Sequence, residues 1–173
     1  MRPTVRQITR DAIYLAILCV IGMLAIPLGD NIKVSLQLLI VFIICLTVDT
    51  VWDSLIITSL YLGLGLFLPI YAGFLSGVTP TFGYVISFVV ASPLIFFINK
   101  IKSINPILRM SLACVAGLLL CYVIGTLFMM LYLEMELGKT LLISVAPYIP
   151  FDIAKIAIAV LVTSLLPKRI YSR

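Results

Sequence analysis

The sequence predicts an all-α integral membrane protein, built as a compact bundle of six transmembrane helices with both termini in the cytoplasm. Hydrophobic residues make up 63% of the 173 residues and charged residues only 11%, and the mean hydropathy is +1.26. Soluble domains are closer to half apolar and a quarter charged, so a water-soluble fold of this length could not bury so many apolar side chains. The apolar residues also form six long runs, flanked by short clusters of basic residues. Lipid must therefore cover part of the surface.

Each run approaches or exceeds the length of about 20 residues that a helix needs to span a bilayer, and snorkelling side chains make up the difference for the shorter runs. Because lipid offers no partners to backbone N–H and C=O groups, each run must be a helix, and we find no alternating, strand-like pattern. A stretch rich in Pro, Gly, Ser and Thr at 69–82 predicts a loop. We predict one transmembrane domain over residues 1–173, with spans at about 11–28, 34–51, 54–70, 83–99, 109–132 and 151–167.

The basic residues predict the orientation. If the chain crosses six times with its N-terminus inside, nine of the twelve Lys and Arg residues fall in cytoplasmic segments, as the positive-inside rule requires. Lys33 and Lys139 then lie outside, and Lys155 lies within the last span. The external connections are 29–33, 69–82 and 133–150. Since the basic clusters flank apolar runs and form no phosphate-binding face, we expect no nucleic-acid partner.

The sequence offers no convincing catalytic or metal site. It has no histidine, and its cysteines lie in apolar segments without a CxxC pair, at Cys19, Cys45, Cys114 and Cys121. Gly138-Lys139-Thr140 resembles the end of a phosphate-binding loop, but Leu133 stands where the earlier glycine belongs. We therefore expect no enzyme, no cofactor and no ATP hydrolysis by this chain.

Three polar features lie where polarity is costly, at the predicted outer end. Asp152 and Lys155, at i and i+3 in the last span, share a helix face, and ionisable residues inside membranes commonly mark a substrate path. The alternatives are a salt bridge that only neutralises itself, or an N-cap aspartate with a snorkelling lysine. Gln37, in the first turn of the second span, can both donate and accept hydrogen bonds, although a glutamine can also snorkel.

The third feature is the uncharged segment 69–84. Its glycines and prolines would let the chain fold back into the mouth of a bundle, and Phe74, Phe82 and Tyr84 would bring aromatic surface there. The alternative is an ordinary loop with interfacial aromatic residues. Together the three features predict an outward-facing site for a small molecule.

Two alanines on the first span, Ala12 and Ala16, form a small-xxx-small pair on one face. This spacing lets another helix approach closely. From spacing alone, packing within the same bundle and docking of a partner helix both remain open.

Four motifs give the chain a resemblance to a known family over nearly its whole length. They are Val34-Ser35-Leu36-Gln37, Pro80-Thr81-Phe82-Gly83-Tyr84, Tyr122-Val123-Ile124-Gly125 and, most specific, Ile149-Pro150-Phe151-Asp152-Ile153-Ala154-Lys155. The chain resembles the biotin-type (BioY) substrate-binding S components of energy-coupling factor (ECF) transporters.

The resemblance implies a six-helix fold in a bacterial cell membrane, vitamin capture from outside, and toppling of the S component to release the vitamin. It implies three partners, namely a transmembrane coupling protein and two cytoplasmic ATPases, and it favours docking over packing for Ala12 and Ala16. Together, the polar features, the aromatic residues of the 69–84 segment and the resemblance predict the binding residues Gln37, Phe74, Thr81, Tyr84, Tyr122, Asp152 and Lys155.

Some positions depart from the family pattern. The glycine-rich run is shortened to Tyr71-Ala72-Gly73-Phe74, glycines are replaced by Phe82 and Phe151, and Val85 stands where some members have arginine. Biotin is the expected ligand, and a related acid such as lipoate, or another vitamin, is the alternative. A different class of protein, a non-transport membrane assembly subunit that uses the two alanines for helix contacts, would bind no small molecule.

Overall fold

The computed structural model describes residues 4–27, 33–103 and 105–166, with the side chain of Lys33 excepted. These ranges contain seven α-helices and one short antiparallel pair of strands. In chain order the elements are α1 (Val5–Gly22), β1 (Ala25–Pro27), β2 (Lys33–Ser35), α2 (Gln37–Thr47), α3 (Val51–Gly65), α4 (Phe82–Asn99), α5 (Pro106–Leu133), α6 (Leu137–Ser144) and α7 (Ile149–Leu165).

Local sequence signals explain where several helices begin. Thr4 and Gln7 form a capping box at the start of α1, and Thr50 and Asp53 form another at the start of α3. The side chain of Asn105 accepts a hydrogen bond from a backbone N–H in the first turn of α5. These caps satisfy backbone donors that have no partner within the helix.

The core is centred on α2, which packs against α1, α3, α4 and α7. Nine of its eleven residues are buried, as expected for a helix that is apolar on all sides. The most extensive helix pair is α4 with α5. A Cβ atom at Gly117 of α5 would lie only 2.5 Å from the side chain of Ile95 on α4, so this glycine permits the close approach.

The structure corrects the predicted boundaries. The chain leaves α1 at Gly22 and enters a hairpin, in which Ile26 pairs with Val34, so the predicted helical spans 11–28 and 34–51 are in extended conformation at Ala25–Pro27 and at Val34 and Ser35. The second helix is correspondingly shorter than the predicted 34–51, running from Gln37 to Thr47. Strands of three residues are too short to produce the alternating pattern by which a strand is predicted.

The predicted connection 133–150 also differs, because it contains α6. The helix ends against α7 with a bend of 51° between the two. Within the described part of the chain, α4 and α5 are long and apolar enough to cross a membrane, and the bent pair α6 and α7 together reaches that length. Helices α2 and α3 are apolar but shorter. The count of six crossings therefore stays a prediction.

A charged cluster joins α1 to α3 and to the turn before it. The Arg10 guanidinium donates hydrogen bonds to the carboxylates of Asp49, Asp53 and Asp11, the last two at 2.7 and 3.0 Å. The side chain of Arg10 is only 13% exposed. One planar guanidinium can satisfy several carboxylates at once because it carries five N–H donors in a fixed geometry.

We expect Arg10→Met to destabilise the protein by about 3 kcal/mol, because it removes the shared cation and leaves three carboxylates close together in a partly buried position. Thermal unfolding of the protein in detergent measures this effect. Lys102→Met, at an exposed basic residue, is the matched control. Equal unfolding temperatures for the two variants would contradict a structural role for the cluster.

Candidate functional site

A cavity of about 330 Å³ lies at the end of the bundle where α2, α4 and α7 begin and α5 ends, which we call the cavity end. The volume is suited to a small organic ligand. Most of its wall is apolar, supplied by Leu38, Val85, Phe88, Leu118 and Met129 among others. Its polar lining residues are Ser35, Gln37, Tyr71, Thr81, Tyr84, Tyr122, Ser144, Tyr148, Asp152 and Lys155.

A buried ion pair forms the charged part of the cavity. Asp152 lies in the first turn of α7 and Lys155 one turn later, with only 4% and 6% of each residue exposed. The Lys155 ammonium donates to Oδ1 of Asp152 at 2.7 Å, and the Tyr122 hydroxyl donates to Oδ2 at 2.6 Å. Buried charges are tolerated when they are paired and hydrogen-bonded in this way. Because an ammonium has three N–H donors, Lys155 retains donors for a ligand.

A second polar chain begins at Gln37, the first residue of α2. Its Nε2 donates to the hydroxyl of Tyr61 on α3, and that hydroxyl donates to the backbone carbonyl of Ile70 at 2.9 Å. Gln37 is 6% exposed and Tyr61 is completely buried. The amide therefore sits at the cavity wall with one side already occupied by protein.

A third polar group joins α4, α5 and α6. The hydroxyl of Tyr84 lies 3.3 Å from the backbone carbonyl of Ser144 and 3.5 Å from the hydroxyl of Thr126. A Cβ atom at Gly125 would lie 2.4 Å from the Tyr84 ring, so only glycine lets the ring lie against α5 here. This contact gives the Tyr122–Gly125 motif a structural reason.

The connection between α3 and α4 closes one side of the cavity. The Tyr71 ring packs where a Cβ atom at Gly65 would be 2.0 Å away, and its hydroxyl donates to the carbonyl of Leu62 at 2.7 Å. Burial raises the pKa of the Tyr71 hydroxyl to about 12, so the hydroxyl remains a donor to a higher pH than an ordinary tyrosine does. Gly73, in the left-handed region with φ of +79°, donates its N–H to the carbonyl of Met23 just after α1.

The structure brings together six of the seven residues predicted for binding, in one cavity: Gln37, Thr81, Tyr84, Tyr122, Asp152 and Lys155. The exception is Phe74, which is 65% exposed and lies outside the lining. Gly73 and Phe74 both have a positive φ, the latter of +59°, and they form a turn in the segment that places Tyr71, and not Phe74, at the cavity. Phe82 is buried between the rings of Tyr71 and Phe128 and does not face the cavity.

Sequence reasoning missed several lining residues. Tyr71 and Tyr148 flank predicted spans and, as residue types, gave no signal beyond that of interfacial aromatic residues. Ser35 belongs to the unpredicted hairpin and Ser144 to the unpredicted α6. Three of them had a signal from their position in the sequence, since Ser35 lies within the Val34–Gln37 motif, Tyr71 lies within the segment 69–84, and Tyr148 immediately precedes the motif that contains Asp152.

The two alanines of the first span are exposed on one face of α1. Ala12 and Ala16 therefore make no tight helix contact within the described part of the bundle. The face that they form is available to lipid or to another helix.

A second cavity of about 400 Å³ lies at the opposite end, lined by Lys100, Lys102 and Arg109 among others. The two lysines are exposed to the surroundings. In contrast, the charged groups of the first cavity are buried and converge with aromatic and amide groups, which is typical of a ligand site. We therefore take the first cavity as the candidate site.

Comparisons with known proteins cover nearly the whole chain. The model of the BioY family matches residues 1–172. The chain is 27% identical over 168 residues to the biotin transporter BioY of Thermotoga maritima, covering 94% of this chain and 96% of the relative. It is 32% identical over 163 residues to the biotin transporter BioY2 of Lactococcus lactis subsp. cremoris, covering 91% and 86%.

A solved structure has the same fold. The chain matches the crystal structure of the S component for biotin from an ECF-type ABC transporter with a TM-score of 0.83, over 98% of this chain and 96% of that one. The sequence identity is 22%, so this likeness establishes the fold.

Proposed function

This chain belongs to the BioY family, and we propose that it is a substrate-binding S component that captures biotin for uptake by an ECF transporter. The observation that carries the proposal is the buried Asp152–Lys155 pair, with Tyr122 as its third partner, at the wall of a cavity of ligand size. A buried ion pair in a mostly apolar wall is costly, and a ligand that uses the remaining hydrogen-bonding capacity of the pair provides a reason for it.

The chemistry of biotin suits this cavity. Its cyclic urea has two N–H donors and a carbonyl acceptor, and its side chain ends in a carboxylate. In the proposed complex, Asp152 accepts a hydrogen bond from a urea N–H, Lys155 pairs with a polar or anionic group of the ligand, and Gln37 orients it. Thr81, Tyr84 and Tyr122 line the same cavity, while the apolar wall covers the rest of the ligand. Lipoate, which lacks the urea group, would leave these acceptors unused.

The proposal includes the membrane topology. The whole chain forms one domain that crosses a bacterial cell membrane six times, with both termini inside and the cavity end outside. The distribution of basic residues supports this orientation. Because α2 has eleven residues and is about 16 Å long, it is shorter than the hydrocarbon core, so this topology requires some of the non-helical backbone next to α2 to lie within the membrane depth. Non-helical backbone is tolerated there only when protein covers it or water fills a cavity beside it.

The partners in this proposal are a transmembrane coupling protein and two ATPase subunits, which supply the energy. The exposed pair Ala12 and Ala16 is proposed as the docking face, because small side chains allow a partner helix to approach closely. The alternative, a non-transport assembly protein, would use the same face but would bind no vitamin.

We expect the purified protein to bind biotin. We expect Asp152→Asn or Lys155→Ala to weaken binding at least tenfold, because each change removes a ligand contact and leaves the other member of the buried ion pair without its partner. Calorimetry in detergent measures the affinities, and lipoate is titrated in parallel. Glu136→Gln and Lys139→Ala are matched controls at exposed positions. Unchanged affinity in both site variants would overturn the site, and tighter binding of lipoate would overturn the choice of ligand.

Labelling of intact cells with a membrane-impermeant maleimide tests the topology. We expect Lys139→Cys to be labelled from outside, and Lys102→Cys to be labelled only after the cells are opened, because Lys139 lies in α6 at the cavity end and Lys102 lies between α4 and α5 at the opposite end. The parent chain, with its four native cysteines, gives the background. Labelling in the opposite sense would reverse the orientation.

For the docking face, we expect Ala12→Trp and Ala16→Trp to abolish copurification with the coupling protein and biotin uptake, while biotin affinity stays within twofold. A tryptophan would hold the partner helix away. Leu119→Trp places the same side chain on an exposed position of α5 and serves as the control. Normal copurification of both alanine variants would show that docking uses another face.

A further inference from the structure

We infer that Tyr61 is a positioning residue that fixes which end of the Gln37 side-chain amide faces the cavity. The site then selects ligands that place an N–H donor next to the Gln37 carbonyl oxygen. The inference rests on the proposed function, because it takes the cavity at Gln37 as the ligand site. Tyr61 does not line the cavity, so any influence on the ligand must pass through the amide that it contacts.

The direction of the hydrogen bonds follows from chemistry. The backbone carbonyl of Ile70 can only accept, so the Tyr61 hydroxyl must donate its single proton to it, at 2.9 Å. The Tyr61 oxygen can then only accept from Gln37. The amide must therefore turn its NH₂ group towards Tyr61, even though the two ends of an amide have nearly the same shape.

Burial strengthens this constraint. Tyr61 is completely buried, and α1 packs against the Tyr61–Gln37 contact at Gly22. A Cβ atom at Gly22 would lie 2.8 Å from the Tyr61 hydroxyl oxygen and 3.3 Å from Cγ of Gln37. If the amide were reversed, its carbonyl oxygen would face the Tyr61 oxygen with no proton between them. An unpaired acceptor is unfavourable at a buried position, so the reversed orientation is disfavoured.

The consequence appears on the cavity side of Gln37. With one N–H committed to Tyr61, the amide can offer its carbonyl oxygen as an acceptor to a ligand. Asp152, which also lines the cavity, is a second acceptor, whereas Lys155 is a donor. A ring that carries two N–H groups matches this set, and an otherwise identical ring with an oxygen in place of one N–H does not.

The experiment compares biotin with its two cyclic carbamate analogues, in which one or the other urea N–H is replaced by a ring oxygen. The dissociation constant of the analogue divided by that of biotin measures the selectivity for an N–H donor. Of the two analogues, the experiment uses the one with the larger ratio in the wild-type protein. In Tyr61→Phe the amide can rotate and present its NH₂ group to the ring oxygen. We expect the ratio to fall at least fivefold in this variant.

Thr58→Val is the matched control, because it also removes a completely buried hydroxyl from α3, one that bonds only within that helix. Its ratio should equal that of the wild type. In a Gln37→Met background, Tyr61→Phe should have no further effect on the ratio, since the two residues act as one unit. If Tyr61→Phe does not fold, Gln37→Met alone must lower the ratio at least fivefold.

The outcomes are distinguishable. A wild type that binds biotin, together with an unchanged ratio in Tyr61→Phe, overturns the inference and leaves the proposed function standing. Equal weakening of biotin and its analogue means that Tyr61 is only structural, which also overturns it. A wild type that binds neither ligand overturns the proposed function, and the inference with it.

Discussion

The carboxylate of Asp152 and the ammonium of Lys155 are buried together at the start of α7, and the organisation of the cavity depends on their pairing. Either charge alone would be costly among apolar side chains, whereas the pair with its third partner, Tyr122, is tolerated. The bond to Tyr122 also ties α7 to α5. Because Asp152 and Lys155 must be paired and hydrogen-bonded, they hold α7 in place against α5. The cavity lies between these two helices and α2.

Helix α2 supplies the other fixed wall. It is apolar on all sides and surrounded by four helices, so it has little freedom to shift. Its first residue, Gln37, is therefore held in a fixed position at the cavity end by the packing of the core. Two kinds of preorganisation meet in this site, one from a buried ion pair and one from close packing.

The sequence was informative wherever the signal was local. The i, i+3 spacing of Asp152 and Lys155 predicted a shared face, and they are bonded. The predicted resemblance to the BioY family is confirmed by the family model over residues 1–172. These features could be predicted because helical periodicity and a continuous motif express them directly.

The remaining features depend on tertiary contacts. The hairpin consists of strands too short for a periodic signal, and α6 lies in a segment that resembled a connection. Tyr71 rather than Phe74 lines the cavity, because the turn at Gly73 and the space at Gly65 decide which ring points inward. No periodicity encodes that choice. Which ring lines the cavity depends on the space that α3 leaves beside Gly65.

The backbone hydrogen bond from Gly73 to Met23 has a consequence for measurement. It links the segment that closes the cavity to the residue that follows α1, the helix with the exposed alanines. Opening of that segment exposes the Gly73 amide proton to solvent, so its rate of exchange with deuterium reports how often the link breaks. The exchange rate of one amide thus reports on the contact between the closing segment and α1, without any change to the sequence.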